Sequence, residues 1–278
     1  MNILQVKFKT YLYPSVFLCF LLLTQCQEPV LGCLDARATN FDVTAAKPCE
    51  DNCCVFPSLK LQFDYAFDTF NFKFNTSYQF GTVGTDSIRF ITSQFYVSNV
   101  QLQKDDGMKA SVLDSILLFR EQDTLKVPNF YALAGKNIGF ESVLGKFFQV
   151  GIYSKVRFDI GLDVEAAKTT PSKMPSGGPL SIKNDSMYIS SEKQYIFNKM
   201  TLVRTSNPTD TLRFVMKTLK TIELKGVKNL VLKEGFDATI ALKIDYKKWL
   251  EGVNFSDLKT INEAKIVSNT NKAFIFNP

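Results

Sequence analysis

From Leu59 onward, apolar and polar residues alternate with period two. Leu59, Leu61, Phe63, Tyr65 and Phe67 interleave with Lys60, Gln62, Asp64, Ala66 and Asp68. Successive side chains of an extended strand point to opposite faces, so this pattern predicts a strand with one buried and one wetted face. Phe70, Phe72 and Phe74 repeat it against Asn71, Lys73 and Asn75. Val156, Phe158, Ile160 and Leu162 do so against Arg157, Asp159, Gly161 and Asp163, and Ala238, Ile240, Leu242, Ile244 and Tyr246 against Thr239, Ala241, Lys243, Asp245 and Lys247. Weaker strand signals cover Ile88 to Leu102, Val112 to Phe119, Phe147 to Tyr153, Tyr188 to Phe197, Met200 to Arg204, Thr211 to Lys217, Thr221 to Leu224, Leu230 to Leu232 and Ala273 to Phe276. Short strands separated by turn residues predict an all-β chain, an antiparallel β-sandwich of Ig-like or Greek-key type with about 10–12 strands. Helical signal is scarce. Lys247 to Gly252 is expected to form one turn that lays Trp249 on the sandwich edge, and Ser256-Asp257-Leu258 marks the start of another. Thr169 to Pro179, with Pro171, Pro175, Gly177, Gly178 and Pro179, reads as a surface loop and is the candidate binding loop.

The N-terminus has a different pattern. Lys7 and Lys9 precede Pro14 and the apolar run Val16 to Leu23, which matches a secretion signal and is shorter than the ~20 residues a membrane-spanning helix needs. Residues 1–25 are therefore assigned to a signal peptide. The run ends at Leu23-Thr24-Gln25-Cys26, which resembles the lipobox of bacterial lipoproteins, with Cys26 as the lipidated thiol. Gln25 departs from the small residue usual there. A plain cleaved leader and a buried free thiol are the competing readings. Either way the chain leaves the cytosol.

Cys33, Cys49, Cys53 and Cys54 then form an even set within a short segment. In an exported chain that arrangement predicts two disulfides. A tetrahedral zinc site is the competitor, disfavoured because adjacent Cys53 and Cys54 are awkward ligands. A Cys53–Cys54 bridge would be strained, so each is expected to pair backward, with connectivity open. The surrounding Gly32-Cys33-Leu34-Asp35-Ala36-Arg37-Ala38-Thr39-Asn40-Phe41-Asp42 resembles a short cysteine module of exported Gram-negative proteins. Asp35, Asn40 and Asp42 are calcium-type ligands by chemistry and turn formers by default. Residues 26–57 are assigned to the anchor and this module, and residues 58–278 to the sandwich.

Composition removes several function classes. The chain has 278 residues and no histidine, so neither a Ser/His/Asp nor a Cys/His mechanism can be built. Its formal charge is +6, from 33 basic and 27 acidic residues, too mild a surplus to argue for nucleic acid. Nucleotide-binding glycine loops and zinc-protease motifs are absent from the sequence. Scattered carboxylates leave a glycosidase pair untestable by spacing, and Asp159 and Asp163 are read as turn formers. The expectation is a non-enzyme without a cofactor.

The body of the chain resembles a known family. Ser93-Gln94-Phe95-Tyr96-Val97-Ser98-Asn99-Val100-Gln101-Leu102 is similar to the x-x-[YF]-Y-[IV]-S-N-[IV]-x-L strand of the MbnP-like proteins, a periplasmic family named for a methanobactin-associated copper-binding member. Val156 to Asp163 resembles its [IV]-x-F-x-[IL]-G-[LV]-D strand, and Met187-Tyr188 with the run Gln194 to Lys199 stands where the family has M-[YF]-W-x-W-x-x-G-Y-x-F-x-K. The resemblance implies a sandwich fold and, in the family, an imidazole-based copper site. Here the two tryptophans are Ile189 and Ser191, the glycine is Gln194, and the H-x-G-G segment corresponds to Leu212 to Met216. Copper(II) favours imidazole nitrogen, so that site cannot be rebuilt in this chain. Met187, Met200 and Met216 are weak candidates for a thioether copper(I) site, with core filling as the default. Oxidation of a family tryptophan by a di-haem partner does not transfer either. Two functions follow as expectations. One is a lipid-anchored binding or scaffold protein of the Gram-negative outer membrane, facing periplasm or cell surface, whose partners are the membrane and an envelope protein or small ligand. The other is a copper-handling protein with Met and carboxylate ligands.

Overall fold

The structure is a computed structural model that describes residues 28–81, 86–110, 112–128, 131–135 and 141–276. Cys26 and the leader lie outside these residues. The alternating segments form two facing sheets. The larger runs in the order Thr211–Met216, Asn198–Arg204, Asp86–Gln103, Gly151–Ile160, Lys220–Leu232, and Ser77–Phe80, Lys109–Ala110 and Ala132–Gly135 also pair with its central Asp86–Gln103 strand. The smaller runs Glu141–Lys146, Ser58–Phe67, Ala238–Asp245, Phe274–Phe276, with Phe70–Asn71 at the hairpin end of Ser58–Phe67. Leu61, Phe63, Phe95, Val97, Phe158, Ile240 and Leu242 fill the space between the sheets. The period-two pattern is the reason: each inward residue leaves water while its neighbour faces out.

One pairing departs from the antiparallel expectation. Ala238–Asp245 lies parallel to Ser58–Phe67, from Ala238 opposite Leu59 to Asp245 opposite Ala66. These are the first and last long strands of the domain, and the chain between them supplies the long crossover that a parallel pair requires.

Several segments follow local chemistry rather than the alternation. The Phe70, Phe72, Phe74 pattern yields a strand only at Phe70–Asn71. Asp68 and Asn75 take left-handed backbone angles, φ 60° and 62°, so the chain reverses twice, and Phe72 folds back onto Tyr78 and Tyr246. Tyr188 to Phe197 is two short strands, Tyr188–Ile189 and Gln194–Tyr195, joined through a turn in which Lys193 has φ 49°. The Thr221 and Leu230 segments merge into one strand, Lys220–Leu232. The Val156 strand starts earlier, at Gly151, and stops at Ile160.

The C-terminal helix Lys259–Ala273 is much longer than the sequence pattern suggests. It buries Asn262, Asn269 and Thr270 alongside Ile266 and Ala273, so its inward face is half polar and carries little apolar periodicity. Those polar groups are satisfied. Asn262 Nδ2 donates to the Asn254 carbonyl at 2.8 Å and Asn269 Nδ2 to the Glu251 carbonyl at 2.7 Å, while Thr270 Oγ1 accepts from the Trp249 indole at 3.3 Å. Trp249 itself sits in the core rather than on the edge. Its one-turn helix, Tyr246–Trp249, is capped by Asp245, and its ring is fully buried against Phe95, Phe274 and Tyr246.

Candidate functional site

The outward face of the large sheet carries a second apolar layer. Tyr96, between inward Phe95 and Val97, joins Leu133, Leu162, Met174, Leu180, Met187 and Tyr195 there. The candidate loop Thr169 to Pro179 belongs to this layer. Pro171 opens a 3₁₀ turn over Pro171–Lys173, and Pro171 and Met174 are buried. Thr170 N donates to the Phe119 carbonyl at 2.8 Å, and Lys173 Nζ reaches the Glu121 carbonyl at 3.2 Å. Thr169 Oγ1 meets the Tyr195 hydroxyl at 2.9 Å, and that hydroxyl donates to the Leu180 carbonyl at 3.0 Å. Burial raises the Tyr195 hydroxyl to about 12, with the Thr169 bond opposing it. Far from a loose loop, the segment is pinned, and Pro175, Ser176 and Gly177 form its exposed tip while Gly178 and Pro179 are half-buried.

The motif carboxylates also have structural tasks. Asp163 Oδ1 caps the turn Val164–Ala167 by accepting from Glu165 N and Ala166 N, and its Oδ2 accepts from the Tyr131 hydroxyl at 2.7 Å. Asp159 is not in a turn. It lies buried within its strand beside a bulge, accepting from Asn99 Nδ2 at 3.1 Å and from Thr221 Oγ1 at 2.6 Å. Asn99 has φ 53°, so the Asn and Asp of two family motifs lock the bulge between them.

The three methionines are not brought to one place. Met187 lies in the outer layer, and Met200 and Met216 point into the core between the sheets. All three are buried, so they pack on opposite faces of one sheet. Among the described residues no group of three His, Cys, Asp or Glu side chains is placed to hold a metal ion.

The four cysteines form Cys33–Cys54 and Cys49–Cys53. Around them Asp35 accepts from Arg37, Asn40 binds the Cys53 carbonyl and Val55 N, each at 2.8 Å, and Asp42 accepts from Thr44 N and Oγ1. These side chains hold turns, as their default reading expects. The module rests on the sandwich end where Ser58–Phe67 begins. The Arg37 guanidinium lies 4.9 Å from the centre of the Phe148 ring. Gly235, at φ 73°, brings its backbone so close that a Cβ there would be 3.2 Å from the Ala38 carbonyl.

At the other end of Ser58–Phe67, about 30 Å away at ~3.3 Å per residue, lies a cleft of about 510 Å³. Phe67, Phe70, Tyr78, Asn71, Lys73, Gln79 and Lys247 are among its lining. Phe67 and Tyr78 stack at 4.6 Å to form its floor. The Tyr78 hydroxyl accepts from Lys73 N at 2.6 Å and donates to the Lys73 carbonyl at 3.2 Å, which fixes the wall. Phe70 is 67% exposed at the lip. Lys247 Nζ is paired with Asp68 at 2.6 Å. Sequence reasoning missed this cleft because Phe70 is assigned to a buried strand face by simple alternation. The left-handed Asp68 that turns it outward is a single residue with no motif around it.

The family model for MbnP matches residues 57–268. Among solved structures, MbnP from Methylosinus trichosporium is similar to this chain at 11% identity, covering 71% of this chain and 78% of that one with a TM-score of 0.45. No curated protein matches the chain. With the family model covering most of its length and its motif residues Asn99, Asp159 and Asp163 joined to the bulge and cap that shape the sandwich, the chain belongs to the MbnP family.

Proposed function

We propose that this MbnP-family chain is an exported, lipid-anchored binding or scaffold protein of the Gram-negative cell envelope, acting without catalysis and without the copper site of its family. The observation that carries the reading is the polarity of the molecule. The cysteine module and the preformed cleft occupy opposite ends of the same strand, Ser58–Phe67. Acylation at Cys26, about seven residues before Cys33 and so within ~25 Å of it even when extended, holds the module end at the bilayer. The cleft then faces away from the membrane, and the Pro175 to Gly177 tip is left open to a partner protein. The missing imidazoles and the methionines divided between two faces favour this reading over copper handling.

Metabolic labelling with radioactive palmitate, followed by membrane fractionation, tests it. Label in the envelope fraction for the natural chain and none for Cys26→Ser supports the proposal. An unlabelled natural chain, or label retained by Cys26→Ser, contradicts it.

A further inference from the structure

We propose that the hairpin-end cleft is a binding site for a small amphipathic carboxylate, a ligand with a planar apolar body and one anionic head. This deepens the binding role proposed above and rests on it. The apolar part of the site is built and rigid. Phe67 stacks on Tyr78 beneath it, Phe72 stacks on the same Tyr78 at 5.4 Å, and the Tyr78 hydroxyl holds the Lys73 backbone from both sides. A floor fixed before binding reduces the ordering cost of a ligand. Phe70, displayed at the lip by the turn at Asp68, adds exposed aromatic surface on which a planar body can pack.

The charge of the head group follows from which side chains are already engaged. Of the charged groups lining the cleft, Asp68 and Lys247 neutralise each other. Lys73 has no ion pair among the described residues and stands exposed beside the apolar floor. The unmatched charge is therefore positive, and an ammonium next to an apolar wall selects an anion carried on an apolar body. Asn71, Thr76 and Gln79 add neutral hydrogen-bonding groups at the rim. A cationic ligand would meet Asp68 only by displacing Lys247 from it. A neutral apolar ligand would leave the Lys73 ammonium unused.

The test uses the whole mature chain with 2-naphthoate as probe and its neutral analogue 2-naphthylmethanol as control, titrated by calorimetry. The expected result is saturable 1:1 binding of the naphthoate, tighter than that of the alcohol and weakened by added salt. Lys73→Gln should weaken naphthoate by about threefold to fivefold while leaving the alcohol unchanged, the size of one solvent-exposed ion pair. Phe70→Ala should weaken both probes. Both positions are exposed, so neither substitution removes core packing. No saturable binding of naphthoate, equal affinity for the two probes, or indifference to Lys73→Gln overturns the proposal. Palmitate labelling at Cys26 is read separately, so a failed titration and a failed anchor are distinguishable.

Discussion

The cysteine module and the sandwich face the same problem, paying for chain order, with opposite resources. Between residues 28 and 56 the buried hydrophobic side chains are Cys33 and Ala38, while Val30, Leu31, Leu34, Phe41, Val43 and Val55 stay exposed. The sandwich instead buries Trp249, Tyr246, Phe63, Phe90, Phe95 and Phe158 almost completely. A segment that hides so little apolar surface is stabilised by restricting its unfolded state and by saturating its turns, which is what two disulfides and the Asp35, Asn40 and Asp42 bonds do. A sheet pair with an aromatic core needs neither. The difference teaches that the two parts should fail independently and under different stresses.

The largest expected effect is in the sandwich. Trp249→Ala leaves a cavity among Phe95, Tyr246 and Phe274 and strands Thr270 without its indole partner, so the sandwich should lose about 3–5 kcal/mol. Urea unfolding followed by far-ultraviolet circular dichroism measures it. The module should suffer next, alone. Joint Cys33→Ala and Cys54→Ala substitution opens a loop with a sequence separation of 21, against 4 for Cys49–Cys53. The chain-entropy relation gives about 3 kcal/mol for the first and about 2 kcal/mol for the second. Hydrogen exchange should show residues 30–56 unprotected while the strands of the sandwich keep their protection.

Smaller again is Asn40→Ala, which removes the bonds to Cys53 and Val55 and should cost the module about 1–2 kcal/mol, read as faster proteolysis of that segment. The mildest effect is pH-dependent. Hydrogen bonds from Arg37 hold the Asp35 carboxyl at about 2, below its ordinary 3.8. A depressed folded-state value contributes stability that is fully present above about 4 and is lost as pH falls toward 2. The module should therefore loosen across that window, and Arg37→Gln should remove the dependence.

What the sequence makes legible follows the same division. Alternation locates the Ser58–Phe67, Gly151–Ile160 and Ala238–Asp245 strands because inward residues alternate with wetter ones, and the parity of the cysteines announces the module. Asp86–Gln103 gives a weaker signal because Phe95, Tyr96, Val97 and Ser98 are buried on both of its faces. Legibility ends where a single residue or a polar partner decides. The Lys259–Ala273 helix packs through Asn262, Asn269 and Thr270, whose partners Asn254, Trp249 and Glu251 lie in the preceding segment rather than in the helix, so no apolar stripe reports it. Trp249 reads as an edge residue because only the return of Phe274 as a final strand closes the core over it. The segment from Thr169 to Pro179 reads as loose because its prolines and glycines are visible and its anchors at Phe119 and Tyr195 are not. Phe70 reads as buried until the turn at Asp68 is known.

The central proposal is that this MbnP-family sandwich serves as a binding module without the family's copper site. Copper per chain, measured by elemental analysis on protein purified from a copper-fed periplasm and desalted, addresses it most directly. The account predicts a trace far below one copper per chain, unchanged by Met187→Leu, Met200→Leu or Met216→Leu. Close to one tightly held copper per chain would contradict it.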